Sequence, residues 1–323
     1  MRKIKKLIVP MFIVGILLFS CIPSASAWSS HGLALSYVLQ NENWLDEYDN
    51  ITITEYSYED VDTEPYSPDF VIRYLEGSIG EKTTAKKILT TYADEPDWNM
   101  DTNLELSKLQ ILTGGSQGYR HQYYGLGFLR IGAGPKRAQY WFDLAKIANE
   151  RGDLYWTFRF LARGIHHIED LTCPYHGVPA PIGIIFSKII KIGELTTIAS
   201  NHHYNMEEFQ GQQINHTNPE WLSVLNEAEP LDLNKVRSVT WLGQYAASIS
   251  KNNVRSLWTI ENELFGEKIS NPEEWLYTED PTFSFEGKED VVERYNEEIL
   301  KSFTNFATFS RTFLQYARIN IGL

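Results

Sequence analysis

The stretch GIHHIEDLTCPYHG, from Gly164 to Gly177, decides the predicted fold and the predicted chemistry of this chain. His166 and Asp170 lie four residues apart in a segment with helical periodicity, so both side chains should project from one face, one turn apart. Neutral imidazole nitrogens and carboxylate oxygens are ligands that zinc accepts. Pro174 should end this helix. His176 follows the proline, where it can reach a second metal ion.

A second pair with the same spacing occurs in NHHYNMEEF, where His203 and Glu207 are four residues apart. His202 has Met206 at that spacing, and a thioether is a poor partner for a hard metal site, so His203 is the favoured ligand. His167 has only a three-residue spacing to an acid and is ranked lower. One such pair is more often a surface contact than a metal site. Two pairs in one chain favour metal binding.

The N-terminus has the pattern of a cleaved secretory signal. The basic MRKIKK is followed by the apolar LIVPMFIVGILLFSCI and then by PSASA, with a small-x-small site at Ala25–Ala27. The sequence therefore predicts a signal peptide over residues 1–27 and a mature, exported chain over residues 28–323, secreted or on the exterior of the cell envelope. Leu18–Cys21 is an alternative, lipoprotein-type processing site.

Composition limits the function classes. The predicted signal holds four of the 29 basic residues and none of the 42 acidic ones, so the mature chain is more acidic than the net charge of −13 suggests. Such a surface repels polyanions, which argues against nucleic acid as a partner. Of the two cysteines, only Cys173 remains after cleavage, so no internal disulfide is expected.

Helical periodicity dominates the rest of the chain and predicts an all-α, single-domain protein. It predicts helices over Gln139–Ala148 and from Leu154 to about Thr172. ITITEYSY, at 51–58, alternates as a short edge strand or an extended loop would. The region after about Gln210 offers only helices. Its last helix should pack an aromatic and aliphatic stripe into the core: Val292, Tyr295, Ile299, Phe303, Phe306, Phe313 and Ala317.

Cleavage before Trp28 would create a further metal ligand. A free α-amino group and its own carbonyl oxygen can chelate a metal ion in a five-membered ring, and His31 is near enough in sequence to complete such a site. The alternative is that Trp28 is simply the residue that follows the cleavage site.

This ordered set of ligands resembles the zinc-dependent phospholipase C family, which shares its helical fold with the fungal zinc-dependent single-strand nucleases. The resemblance extends from Trp28 to about Gln210. It consists of an N-terminal Trp, a His, then HxxxDxxxxxH and HxxxE. In this chain the pattern is met by Trp28, His31, His166, Asp170, His176, His203 and Glu207.

The resemblance also implies an Asp and a His between the N-terminus and the first helical pair. YADEPDW supplies Asp97, with Asp94 as the alternative, and YRHQYYG supplies His121. It implies about three zinc ions. The first would be held by Asp97, His121, His166 and Asp170. The second would be held by His176, His203 and Glu207. The third would be held by the Trp28 amine and carbonyl, His31, and a shared Asp170 or a bridging water.

The activity implied by the resemblance is phosphodiester hydrolysis, most closely by a phospholipase C that releases the phosphorylated head group of a phospholipid. Asp97 would orient or deprotonate the attacking water. Trp98 would line the substrate site and stack on a choline-like cation, or else would simply pack in the core. The acidic surface and the lack of a disulfide favour the lipase over the alternative, a single-strand nuclease or nucleotidase. A non-catalytic, zinc-stabilised exported protein is a third possibility.

GGSQG, at Gly114–Gly118, fits the nucleophile-elbow pattern of serine hydrolases. That elbow requires a strand before the serine and a helix after it. The sequence predicts neither, so this segment is interpreted as a flexible loop before His121, and a serine hydrolase is disfavoured.

The segment after His176, IGIIFSKIIKIGEL, spaces Ile182, Ile185, Ile189 and Ile192 as a helix would. We expect this helix to face the core, with its lysines solvated. The alternative is a helix that lies at a lipid interface.

Overall fold

The computed structural model describes residues 30–188 and 190–323, and most of them are helical, which agrees with the predicted all-α class. Within these ranges, no helix is both long enough and apolar enough to cross a bilayer. The α-helices, in chain order, are α1 (His31–Val38), α2 (Ala85–Tyr92), α3 (Ser116–His121), α4 (Gly134–Glu150), α5 (Leu154–Asp170), α6 (Pro174–Gly177), α7 (Ile182–Ser187), α8 (Ile192–Asn215), α9 (Pro219–Glu227), α10 (Val239–Ser250), α11 (Val254–Phe265) and α12 (Glu289–Ala317).

Helix α5 is the central element. It is buried along almost its whole length and packs against α2, α4, α10 and α12. The Asp153 side chain caps its first turn by accepting a hydrogen bond from the Trp156 amide, which satisfies one of the unpaired donors of a helix start. Gly152, at φ +76°, turns the chain between α4 and α5. Both helices confirm the predicted segments, although α4 starts earlier, at Gly134.

The structure confirms that the aromatic and aliphatic stripe of the last helix, α12, packs into the core. Tyr295, Ile299, Phe303, Phe306 and Phe313 are buried, while Val292 is only partly buried. One hydrophobic core cluster includes residues from Ala34 to Ala317. The region after Gln210 therefore packs on the same core as the ligand-bearing helices.

The strands are short. Strand β1 (Ile51–Thr52) pairs antiparallel with β2 (Lys82–Thr83), and β3 (Tyr124–Leu126) pairs with β4 (Leu129–Ile131) in a hairpin. The 51–58 segment thus combines the two predicted possibilities, a short strand at Ile51–Thr52 and a loop after it. Beyond Ile53 this segment is anchored by tyrosine side chains, since the Tyr58 hydroxyl donates to Asp153 over 3.0 Å.

The flexible loop expected before His121 is instead helix α3. A 3-10 helix, Gln110–Thr113, precedes it, and two glycines at positive φ connect the two elements. The Ser116 hydroxyl donates to the Asp101 carbonyl over 2.6 Å and is buried. A side chain at Gly118 would meet the Thr113 carbonyl oxygen, so glycine is needed there. Because no strand precedes Ser116 in this described segment, the nucleophile-elbow interpretation stays disfavoured.

The segment after His176 corrects a second expectation. Helix α7 ends at Ser187, and every residue in it is partly or fully exposed. Ile182, Phe186 and Ile190 expose 53%, 67% and 93% of their surface. One helix that buries the whole stripe through Ile192 is therefore wrong, although Ile184 and Ile185 are partly buried against the core. Ile189 lies outside the described residues.

Candidate metal centre

Helix α5 presents two buried side chains to one site. His166 and Asp170, one helical turn apart, place Nε2 and Oδ2 3.2 Å from each other. Both residues are at most 3% exposed. Buried polar groups in folded proteins normally have partners. The side chains around this pair should therefore include its partners.

Two further side chains converge on this pair. His121, the last residue of α3, places Nδ1 2.9 Å from Asp170 Oδ2 and 3.1 Å from His166 Nε2. Asp97, at the end of the 3-10 helix Glu95–Asp97, places Oδ1 3.5 Å from His121 Nδ1 and 3.7 Å from His166 Nε2. We call Asp97, His121, His166 and Asp170 the first ligand group.

Asp97, not Asp94, faces these histidines. Asp94 Oδ2 accepts a hydrogen bond from the Gly32 amide over 3.3 Å, so it caps the start of α1. Asp97 Oδ1 accepts from the Gln117 amide over 3.3 Å. Its other oxygen has no hydrogen-bond partner among the described residues.

The second ligand group comprises His176, His203 and Glu207. His176 Nε2 and His203 Nε2 are 3.0 Å apart, and His203 Nε2 is 2.8 Å from Glu207 Oε1. Glu207 Oε1 and His176 Nε2 are 3.8 Å apart. The i,i+4 spacing in α8 thus brings His203 and Glu207 into contact, as expected from the sequence.

His202 points away from this group. Its Nδ1 is 2.6 Å from Glu261 Oε2, and its ring stacks on Trp258 with centroids 3.5 Å apart. Sequence spacing alone correctly ranks it below His203.

His31 brings α1 to the same place. Its Nδ1 is 2.9 Å from Glu169 Oε2, and its Nε2 is 3.6 Å from Asp170 Oδ1. Trp28, the other predicted member of this third ligand group, lies outside the described residues. The third group is therefore represented here by His31 and Asp170.

Asp170 connects the three groups. Its Oδ2 belongs to the first group, while Oδ1 is 3.5 Å from His176 Nδ1 and 3.6 Å from His31 Nε2. A carboxylate whose two oxygens face different sets of imidazoles is placed as a bridging ligand requires.

The distances within the groups fit a shared cation. Ligand atoms around a tetrahedral zinc ion at about 2.05 Å lie about 3.3 Å from one another. Two imidazole nitrogens 3.0 Å apart, as in His176 and His203, can be joined by one shared proton or by one metal ion between them. Asp170 Oδ2, which belongs to the first group, and Asp97 Oδ2 lack a hydrogen-bond partner in the described structure. The donor set therefore fits a divalent metal ion such as zinc.

The charges of the groups depend strongly on one another. Burial, opposed by His166 and His121, raises the pKa of Asp97 to about 7. Burial would lower the pKa of His121, but the carboxylates of Asp170, Asp101 and Asp97 together outweigh it and raise that pKa to about 10. Burial lowers the pKa of His176 to about 3. Bound protons thus offset the negative charge of the carboxylates in the cluster, and a bound cation would displace these protons.

Two carboxylates that the sequence did not reveal contact the second ring nitrogen of a candidate histidine ligand. Asp101 Oδ2 is 3.4 Å from His121 Nε2, and Arg120 and Arg137 hold its other oxygen. A partner on the far nitrogen fixes the tautomer of a metal-binding histidine. Glu169 does the same for His31. These contacts join distant parts of the chain, so no local spacing could show them.

Two more residues enter the site. His167 offers a ligand atom within 4.8 Å of those of His121, His166 and Asp170, although its spacing ranks it below His166. Cys173 offers one within 4.8 Å of those of the second group. The sequence analysis missed Cys173, although its three-residue spacing to His176 is a detectable signal.

Trp98 follows Asp97 at the edge of the site. It is partly exposed and packs edge-on against Tyr92, with ring centroids 6.0 Å apart. It therefore contributes to the core while leaving part of its ring accessible beside Asp97.

No protein-family model matches this chain, and no curated protein matches it. The candidate metal centre is therefore inferred from the side-chain positions given above.

Proposed function

We propose that this protein is an exported zinc-dependent phosphodiesterase of the phospholipase C type. The observation that carries the proposal is the position of Asp170, whose two carboxylate oxygens face imidazoles of all three ligand groups. Many enzymes that hydrolyse phosphodiesters use clustered divalent metal ions. The fold proposed is accordingly that of the zinc-dependent phospholipase C and nuclease type.

About three zinc ions would be held, one by each ligand group, with the Trp28 amine completing the third. When bound, these ions would neutralise the phosphoryl oxygens, lower the pKa of a water and stabilise the leaving alkoxide. Asp97 is positioned to orient the attacking water and to accept its proton. Gln117 holds one oxygen of that carboxylate and leaves Oδ2 for this role.

A phospholipid is the substrate we favour. The exposed Ile182, Phe186 and Ile190 belong to the segment that joins, in sequence, the helices carrying His176 and His203. Exposed apolar side chains grouped in one segment are a typical feature of membrane-facing surfaces. Trp98 would wall the site and stack on a choline-like head group.

A zinc-dependent single-strand nuclease or nucleotidase is the alternative, because the metal chemistry would be the same. The acidic composition disfavours a nuclease, since the chain has 42 acidic residues and only 29 basic ones. The third candidate, a non-catalytic exported protein stabilised by zinc, uses the same ligands for stability alone.

One experiment separates the three. The mature protein is loaded with zinc and assayed on phosphatidylcholine and on single-stranded DNA, then after chelation, and again after zinc is restored. Hydrolysis of phosphatidylcholine that stops on chelation and returns with zinc supports the proposal. Faster cleavage of DNA would favour the nuclease. Bound zinc without either activity would favour the structural role.

A further inference from the structure

We propose that the Sγ atom of Cys173 is a fourth protein ligand of the second ligand group. It would bind zinc as a thiolate together with His176, His203 and Glu207. The inference rests on the metal centre of the proposed function, and it adds a residue that the resemblance does not include.

The local backbone directs the thiol to His176. Cys173 is the N-cap of the short helix α6, and His176 is the third residue of that helix. Side chains at these two positions lie on the same side of a helix start. The Cys173 amide donates to the Asp170 carbonyl over 2.9 Å, and the His176 amide donates to the Cys173 carbonyl over 3.1 Å. The turn that joins α5 to α6 thus holds both ligand atoms in place.

The thiol is not used as a helix cap, since no side-chain capping bond is formed at Cys173. Instead, its Sγ lies within 4.8 Å of the ligand atoms of His176, His203 and Glu207. Cys173 and Glu207 also line one small cavity together with His31 and Asp170. The sulfur is therefore directed to the ligand groups and not to a separate surface.

The chemistry of these four side chains suits zinc. Zinc binds thiolate sulfur, imidazole nitrogen and carboxylate oxygen, and sites with four protein ligands are usually closed, tetrahedral sites. A second group with four protein ligands would keep no coordination position for water or substrate. The open position needed for hydrolysis would then belong to the third group, around His31.

The test uses X-ray absorption at the zinc edge on the zinc-loaded mature protein. We expect a sulfur shell at about 2.3 Å beside a nitrogen and oxygen shell at about 2.0–2.1 Å. Substitution of zinc by cobalt(II) should produce a thiolate-to-metal charge-transfer band in the near ultraviolet. Cys173 is the single cysteine of residues 28–323, so the signal has one source.

Cys173→Ser is the matched variant, because it replaces sulfur by oxygen and keeps the shape of the side chain. It should lose both the sulfur shell and the charge-transfer band. Zinc-loaded wild type with only nitrogen and oxygen neighbours, or a protein that binds no zinc, would overturn the proposal. Hydrolysis is measured on the same samples. Activity without a sulfur shell would refute the role of Cys173 alone, and a sulfur shell without activity would refute the proposed function alone.

Discussion

Asp170 Oδ2 lies 2.9 Å from His121 Nδ1, although His121 ends helix α3 and Asp170 ends helix α5. The β3–β4 hairpin and helix α4 separate the two helices in sequence. The same carboxylate approaches His176 through its other oxygen, over 3.5 Å. One side chain at the C-terminal end of α5 therefore determines how the ligand groups meet. The metal content of variants at this position is the most direct measure of the site.

Asp170→Asn should lose more than one of the about three zinc ions expected for this type of site. An amide cannot supply the two anionic oxygens that face different groups, so both neighbouring groups are weakened. Metal content is measured by mass spectrometry after dialysis against metal-free buffer.

Asp94→Asn is the matched control for that variant. Asp94 is also a carboxylate near the site, but it accepts a hydrogen bond from the Gly32 amide over 3.3 Å, a role that an amide oxygen can retain. Its zinc content should equal that of wild type. A full complement of zinc with normal activity in Asp170→Asn would contradict the bridging role.

The second prediction concerns Trp28. A version of the protein that begins Met-Trp28 has an amide in place of the primary amine, and an amide nitrogen is a poor ligand. It should bind less zinc and hydrolyse substrate more slowly than the version that begins at Trp28. His31 is unchanged in both versions and serves as the internal control. Equal zinc content and equal rates would show that Trp28 is not a ligand.

The third prediction concerns the contact between Glu169 and His31, whose atoms Oε2 and Nδ1 are 2.9 Å apart. Loss of a carboxylate behind a metal-binding histidine typically costs about 10- to 100-fold in metal affinity. Glu169→Gln should show a loss of this size at one site, measured by competition with a chromophoric chelator.

Glu194→Gln is the comparison for that variant, because Glu194 pairs with Lys191 on the surface, over 2.8 Å. It should keep the wild-type affinity for zinc. Glu169→Gln with unchanged affinity at every site would show that His31 needs no such support or binds no metal.

The fourth prediction concerns the exposed residues Ile182, Phe186 and Ile190. Their simultaneous replacement by Ser should weaken binding to phosphatidylcholine vesicles in a sedimentation assay and lower the rate of vesicle hydrolysis. The rate on a soluble short-chain substrate should stay unchanged, since none of the three is a proposed ligand. Because the side chains are exposed, each change should alter stability by no more than about 0.5 kcal/mol.

Val71, Leu75 and Ile79 provide the matched control, because they are exposed to a similar degree on a different segment. Their replacement by Ser should leave vesicle binding intact. Equal losses in both triple variants would contradict a specific lipid-facing role for the segment after His176.

The sequence predicted those parts of the site that depend on helical spacing. His166 with Asp170, and His203 with Glu207, are fixed by one turn of a helix, and the structure places each pair in contact. Cys173 has a three-residue spacing to His176, but its direction depends on how α6 begins after the turn that joins α5 to α6. Asp101 and Glu169 act across long stretches of chain, which no local pattern encodes.

The errors in the predicted fold have a common physical cause. Helix α3 was missed because Gly114 and Gly115, both at positive φ, resemble a loop and conceal the short helix that follows. Helix α7 was predicted to face the core because its isoleucines recur at helical spacing. Periodicity reports that a helix has an apolar face, but it does not report what covers that face.

The Ser310 hydroxyl donates to Glu169 Oε1 over 2.9 Å, and Glu169 in turn contacts His31. Residues near the start and near the end of the folded chain thus meet behind one imidazole. During synthesis, α1 and α5 would emerge well before α12, so His31 would lack its complete support until the last helix docks. Metal uptake at the third group, which includes His31, should therefore follow the docking of α12.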